Sequence, residues 1–146
     1  MWTEIARQIS QVSGKKFEVE NRRPVSGGCI NQGYAVTGNG STYFVKINQA
    51  SQVEMFEAEA LGLKRMLATQ TIRVPQPICW GIAAAEGTGS ARSSYLVLEW
   101  LEFARGGSSQ SWEEMGRKLA AMHEAGGSWQ FGWERNNTIG STPQLN

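Results

Sequence analysis

The sequence predicts an α+β fold: a five-stranded antiparallel sheet with one inserted helix, joined to the start of a second, helical unit. Three observations carry this. Short runs with the period of strands occur between residues 17 and 47 and twice more between 78 and 99. One helical stripe, Phe56, Ala60, Leu63 and Leu67, interrupts them. A second stripe, Trp112, Met115, Leu119 and Met122, follows the last strand.

In chain order, Ile5, Ile9 and Val12 lie at helical spacing after Thr3, an expected N-cap, and Gly14 ends the run. Phe17, Val19 and Val25 alternate with Glu18, Glu20 and Arg22 as a half-buried strand. A Gly-rich segment, 26–33, leads into Tyr34-Ala35-Val36 and the turn Gly38-Asn39-Gly40. The strand Thr42 to Ile47 points Tyr43, Val45 and Ile47 one way and Phe44 and Lys46 the other. Gln52 to Ala68 is the clearest helix, and Pro75 and Pro77 forbid another directly after it. Strands Ile78 to Ala84 and Ser93 to Glu99 follow, the second apolar enough to be central. Ser111 with Glu114 three residues on has the capping-box pattern of a last helix. From Gly126 onward no period is visible.

At 146 residues and 40% hydrophobic, the chain can bury about one ordinary core. Lys and Arg total 14 against 13 Glu, with no Asp at all and no basic stripe, so nucleic acid is excluded as an expected partner. The run Tyr95 to Leu98 with Trp100 and Leu101 falls far short of the ~20 residues of a membrane span, and no signal-peptide apolar core opens the chain. The expectation is a soluble, cytoplasmic protein. Cys29 and Cys79 fit neither a disulfide framework nor a zinc spacing, and with His123 the lone histidine, no metal site is expected.

Chemistry concentrates in three places. Gly27, Gly28 and Gly33 form a turn between two strands, where missing Cβ atoms let backbone N–H groups face an anion; hairpin turns also use glycine for shape alone. Lys46 stands in the apolar run Tyr43-Phe44-Val45-Lys46-Ile47; judged alone, it equally fits a lysine whose stem covers apolar surface. Glu59 lies ~60° from Phe56 around its helix, whereas Glu54 lies ~160° away, so Glu59 is the glutamate best aimed at the sheet. Together the three meet the needs of a nucleotide kinase: a backbone cradle, a strand lysine for the α/β-phosphates and a helix glutamate to orient it.

The runs SGGCINQGYAV, YFVKIN, EMFEAEALGLKRM, RVPQPICWG, YLVLEWLEF, LAAMHE and FGWERNNTIGSTPQLN resemble successive signatures of fructosamine (ketoamine) kinases, relatives of the aminoglycoside and choline kinases. The resemblance implies a protein-kinase-like small lobe at residues 1–101 and the hinge with the first helix or helices of an incomplete large lobe at 102–146. It implies ATP-dependent phosphorylation of a ketoamine, on a free amine or a protein lysine, with Mg²⁺. By the same analogy Ser26, Gly27, Gly28, Cys29, Ile30 and Asn31 form the phosphate loop, Lys46 holds the phosphates, Glu59 pairs with it, and Glu99, Trp100 and Leu101 form the hinge to adenine.

The family's His-Gly-Asp run and its later metal-binding Asp have no counterpart in a chain without Asp. No catalytic base or metal ligand is therefore expected here, and the chain reads as part of an enzyme roughly twice as long, the missing carboxylates being those that phosphoryl transfer requires. Two alternatives stay open: a non-catalytic nucleotide-binding or oligomerisation module, and a kinase of the aminoglycoside or choline type. Cys29, inside the Gly-rich loop, is a candidate redox-sensitive thiol whose inter-chain disulfide would give a homodimer. Cys79 is expected in the core, His123 packed or capping, and Trp129, Phe131 and Trp133 packed against the rest of the large lobe or lining a sugar site.

Overall fold

The computed structural model describes residues 1–26, 30–84, 91–103, 106–127, 132–139 and 142–145. Helix α1 (Trp2–Ser13) is followed by β1 (Asn21–Val25), β2 (Gln32–Gly38), β3 (Ser41–Gln49), a single 3-10 turn (Ala50–Gln52), α2 (Val53–Ala68), β4 (Pro77–Ala84), β5 (Arg92–Glu99) and α3 (Ser109–Ala125). A hairpin of β6 (Asn137–Ile139) and β7 (Thr142–Gln144) comes last. The expected α+β architecture is present: β1 to β5 make one sheet in the order β1-β2-β3-β5-β4, every neighbouring pair antiparallel.

The two faces of this sheet hold separate apolar clusters. On one, Trp2, Ile5 and Ile9 of α1 pack with Phe17, Val36, Val45, Ile47, Cys79, Ala83, Tyr95 and Val97. On the other, Phe56 and Ala60 of α2 pack with Leu96 and Leu98. The unbroken apolar run of β5 follows from this, since a strand covered on both faces needs no polar positions. Ser94 is the buried exception, and its hydroxyl donates to the Gln49 carbonyl at 2.7 Å. Among the described residues no helix is long and apolar enough to cross a membrane.

Asn39 and Gly40 turn the β2–β3 hairpin with positive φ angles of 48° and 73°, the pairing that suits a two-residue hairpin loop. Asn39 also accepts a hydrogen bond from the Glu18 N–H at 2.7 Å through its Oδ1. That contact takes a backbone donor from the segment before β1, and the strand expected from Phe17 begins at Asn21 instead, although Phe17 itself is buried.

Other expectations shift as well. Met1, not Thr3, is the N-cap of α1, because the helix begins at Trp2 to bury that ring against the sheet. Ser108, not Ser111, caps α3, its Oγ accepting from the Ser111 N–H at 3.1 Å. Glu114 pairs with Lys118 at 2.8 Å, and the expected capping box does not form. The stripe of α3 is helical as expected but not core: Trp112, Met115 and Leu119 are exposed and Met122 is half-buried. His123, expected to be packed or capping, is exposed in the last turn of α3. Cys79 is buried, and burial pushes its thiol pKa up to about 12.

Candidate functional site

Alternation along β3 places Val45 and Ile47 against α1 and leaves Phe44, Lys46 and Asn48 on the α2 face. Lys46 stands opposite Gly33 of β2 and Leu96 of β5. The segment 26–31 joins β1 to β2, whose last pair, Val25 with Gly33, brings the base of that loop beside Lys46. At Gly33 the fit is tight, because a Cβ would lie 3.1 Å from the Phe44 ring and 3.2 Å from the Val25 carbonyl oxygen.

Glu59 extends from α2 towards the sheet as its helical angle requires, and its Oε2 accepts from Lys46 Nζ at 2.6 Å. Both side chains are largely covered, at 20% and 30% exposure. The ammonium also lies 5.9 Å from the centre of the Phe56 ring, close enough for a favourable cation–π contact. Glu54 is exposed on the far side. A cleft of about 410 Å³ opens at the ion pair, lined among others by Ile30, Asn31, Met55, Gly62, Asn137 and Thr138. The arrangement can hold a polyanion: a fixed cation beside a loop end, in a recess walled by a helix.

Of the expected loop, Ser26 and Ile30 are exposed and Asn31 is half-buried. Gly27, Gly28 and Cys29, and with Cys29 the candidate redox thiol, lie outside the described residues. Sequence reasoning missed Asn48, whose Nδ2 donates to Asn31 Oδ1 at 2.7 Å and to the Ile30 carbonyl at 3.2 Å, tying the loop's end to β3. A signal existed: Asn48 is two residues from Lys46 and shares its face.

Glu99 ends β5, three residues along from the Leu96 that pairs with Lys46, or roughly 10 Å away. Its N–H donates to the Gln76 carbonyl at 2.8 Å, and its carboxylate accepts from Arg73 at 2.5 Å and from the Gln76 N–H at 3.3 Å. Trp100 and Leu101 are half-exposed beyond it. Among the described residues no three metal-ligating side chains converge.

The last part of the chain, where no period was legible, contributes to the site. Asn137 and Thr138 of β6 line the cleft, and Arg135 bonds Glu57 of α2 at 3.1 Å. Arg65 of α2 pairs with Glu134 and lies over the Trp133 ring, 5.7 Å from its centre. Trp129 and Phe131, the other members of the expected aromatic cluster, lie outside the described residues.

Comparison with known proteins gives the following. The family model described as "Fructosamine kinase" matches residues 1–146. A Synechocystis protein described as "Probable ketoamine kinase" is 61% identical over 145 residues, covering 99% of this chain and 46% of that protein. The "Protein-ribulosamine 3-kinase, chloroplastic" of Arabidopsis thaliana is 44% identical over 141 residues, 96% of this chain and 41% of that one. Among solved structures, a "Putative fructosamine-3-kinase" from Haemophilus somnus 129PT superposes with a TM-score of 0.85 at 27% identity, covering 100% of this chain and 47% of that chain. The chain thus spans about half the length of the relatives it matches.

Proposed function

The chain belongs to the fructosamine kinase family, and we propose that it forms the ATP-binding lobe of a kinase that phosphorylates a sugar hydroxyl of a ketoamine. Residues 1–101 make up that lobe, and 102–146 form the hinge and the beginning of the second lobe. The observation that carries the reading is the 2.6 Å pair between Lys46 and Glu59 at the mouth of a cleft beside the 26–31 loop. In nucleotide kinases a lysine so placed holds the α/β-phosphates, and the glutamate keeps its amine in reach.

Each residue then has a defined task. Glu59 fixes the Lys46 amine, Asn48 holds the Asn31 end of the phosphate loop, and the chain from Glu99 to Leu101 offers backbone groups to adenine. Because the Glu99 N–H is committed to Gln76, the donor to adenine comes from Trp100 or Leu101. Magnesium would come with the nucleotide, held mainly by its phosphates with one or two protein carboxylates, and the chain has no Asp to supply them. The described residues bind and orient the nucleotide, and the carboxylates that transfer requires are not among them. The substrate class, a sugar adduct of an amine or a protein lysine, is supported by the similarity to a probable ketoamine kinase and a protein-ribulosamine 3-kinase. A second reading, a nucleotide-binding module without catalysis of its own, shares the same Lys46–Glu59 site.

Calorimetric titration of ATP–Mg²⁺ into the chain and into Lys46→Ala tests the shared core of both readings. Binding that weakens on the order of tenfold or more in the variant is expected, the loss of one charge-assisted contact. A folded wild-type chain that takes up no nucleotide would overturn it.

A further inference from the structure

Helix α2 is gripped from two sides. Glu57 and Glu59 are two residues apart and so project about 200° apart around the helix axis. Glu59 meets Lys46 on the sheet, and Glu57 meets Arg135 in the segment leading into β6. A second tie runs parallel to the first, from Arg65 to Glu134 and Trp133. Met55 and Ala58 of α2 wall both the Lys46 cleft and a neighbouring cleft lined by Arg135, Asn136 and Asn137.

The apolar contacts of α2 gather on one face, where Phe56 and Ala60 pack with Leu96 and Leu98 and where Met55 and Leu63 lie against the same cluster. Its fully buried side chains are only Phe56 and Ala60, with Ala58 nearly so, and Gly62 lowers the intrinsic stability of its middle. Glu59 lies on the flank of that face, so a small rotation of α2 would carry its carboxylate away from Lys46. Arg135 opposes that rotation. Its side chain is 29% exposed, and its Nε is buried with no hydrogen-bond partner among the described residues, so that part of the guanidinium has given up water while its Nη1 is held by Glu57 at 3.1 Å.

We propose that Arg135 is a positioning residue: by holding Glu57 it fixes the rotation of α2 that keeps Glu59 on Lys46. Its relevance to nucleotide binding rests on the reading of Lys46 as the phosphate-binding group; the mechanical part does not. The segment around β6 is then a brace for the site, and displacing it weakens the site without touching a ligand.

The test uses the full chain, the variants Arg135→Glu and Glu57→Arg, and the double exchange Glu57→Arg/Arg135→Glu. Acylation of Lys46 by a small amine reagent, followed by mass spectrometry, reports the Lys46–Glu59 pair without any nucleotide. Each single reversal is expected to speed Lys46 labelling about fivefold or more, the lower end of couplings between sites, and the double exchange to restore slow labelling. Cys79, buried on the opposite face, must stay unreactive to a thiol reagent throughout, which separates a rotated helix from an unfolded chain. Lys46 labelling that is unchanged in both single variants overturns the proposal, as does faster labelling that the exchange fails to reverse. ATP–Mg²⁺ titration of the same proteins is the second arm. Affinity that follows the labelling supports the whole chain of inference. Labelling that responds in a protein that binds no ATP supports the brace and removes the nucleotide reading alone.

Discussion

Asn48 and Asn31 are joined at 2.7 Å, and through them the middle strand of the sheet holds the end of the loop that precedes β2. The same amide reaches the Ile30 carbonyl at 3.2 Å, so one side chain fixes two consecutive residues of the loop. Asn48→Ala is expected to weaken ATP–Mg²⁺ binding up to about tenfold, since a net hydrogen bond contributes about 0.5–1.5 kcal/mol. Calorimetry reads the affinity, and a thermal midpoint close to wild type shows that the loop and not the core has changed. Affinity equal to wild type would mean the loop is ordered without Asn48.

Glu59→Gln keeps the shape of the side chain and removes its charge. The Lys46–Glu59 pair is partly exposed, so its removal is expected to cost the fold no more than about 1 kcal/mol in urea denaturation. Nucleotide affinity is expected to fall clearly more than that, because the amine loses the group that aims it. A large loss of stability with unchanged affinity would make the pair structural.

Gly38 ends β2 where the backbone of Glu18 crosses it. A Cβ there would stand 1.8 Å from the Glu18 carbonyl oxygen. Gly38→Ala therefore has to separate the 17–20 segment from the hairpin, at a cost of about 1–3 kcal/mol, and lowers the denaturation midpoint accordingly. Gly62→Ala, with open space around the added methyl, is the matched control, expected to be neutral or to stabilise by up to about 1 kcal/mol. Equal effects at the two positions would refute the close approach.

Stability is expected to fall at alkaline pH. Burial raises the Cys79 thiol from 9.0 to about 12 and the Tyr95 hydroxyl from 10.0 to about 12. For an acid raised in the folded state, the unfolded chain loses its proton first and binds fewer protons between the two values. The stabilising contribution is complete below about pH 9 and is lost as pH rises towards 12. Thermal midpoints measured from pH 8 to 11 are expected to decline, and Cys79→Ala is expected to flatten that decline whatever its midpoint at neutral pH. An identical slope in the variant would assign the loss to other groups.

The fold was largely legible because its elements are long enough to show a period. The stripe of α2 and the alternation of β3 place Glu59 and Lys46 on facing surfaces, and the two side chains do meet. The β6–β7 hairpin was not legible, since three residues per strand are too few to show alternation. The stripe of α3 was legible as a helix but misleading as core: periodicity says which face is apolar, not whether anything covers it.

What the sequence determined by itself is the order of elements, the sheet, the central place of β5 and the candidate pair Lys46 and Glu59. Each of these is written in the spacing of residues along one element, and the backbone geometry of a helix or strand converts spacing into direction. Only the tertiary structure decided that Asn48 holds Asn31, that Glu99 is engaged by Arg73 and Gln76, and that Arg135 returns from the end of the chain to grip α2. These contacts join residues 17, 26, 23 and 78 positions apart. Whether such side chains meet depends on how whole elements are placed against one another, and no local pattern records that.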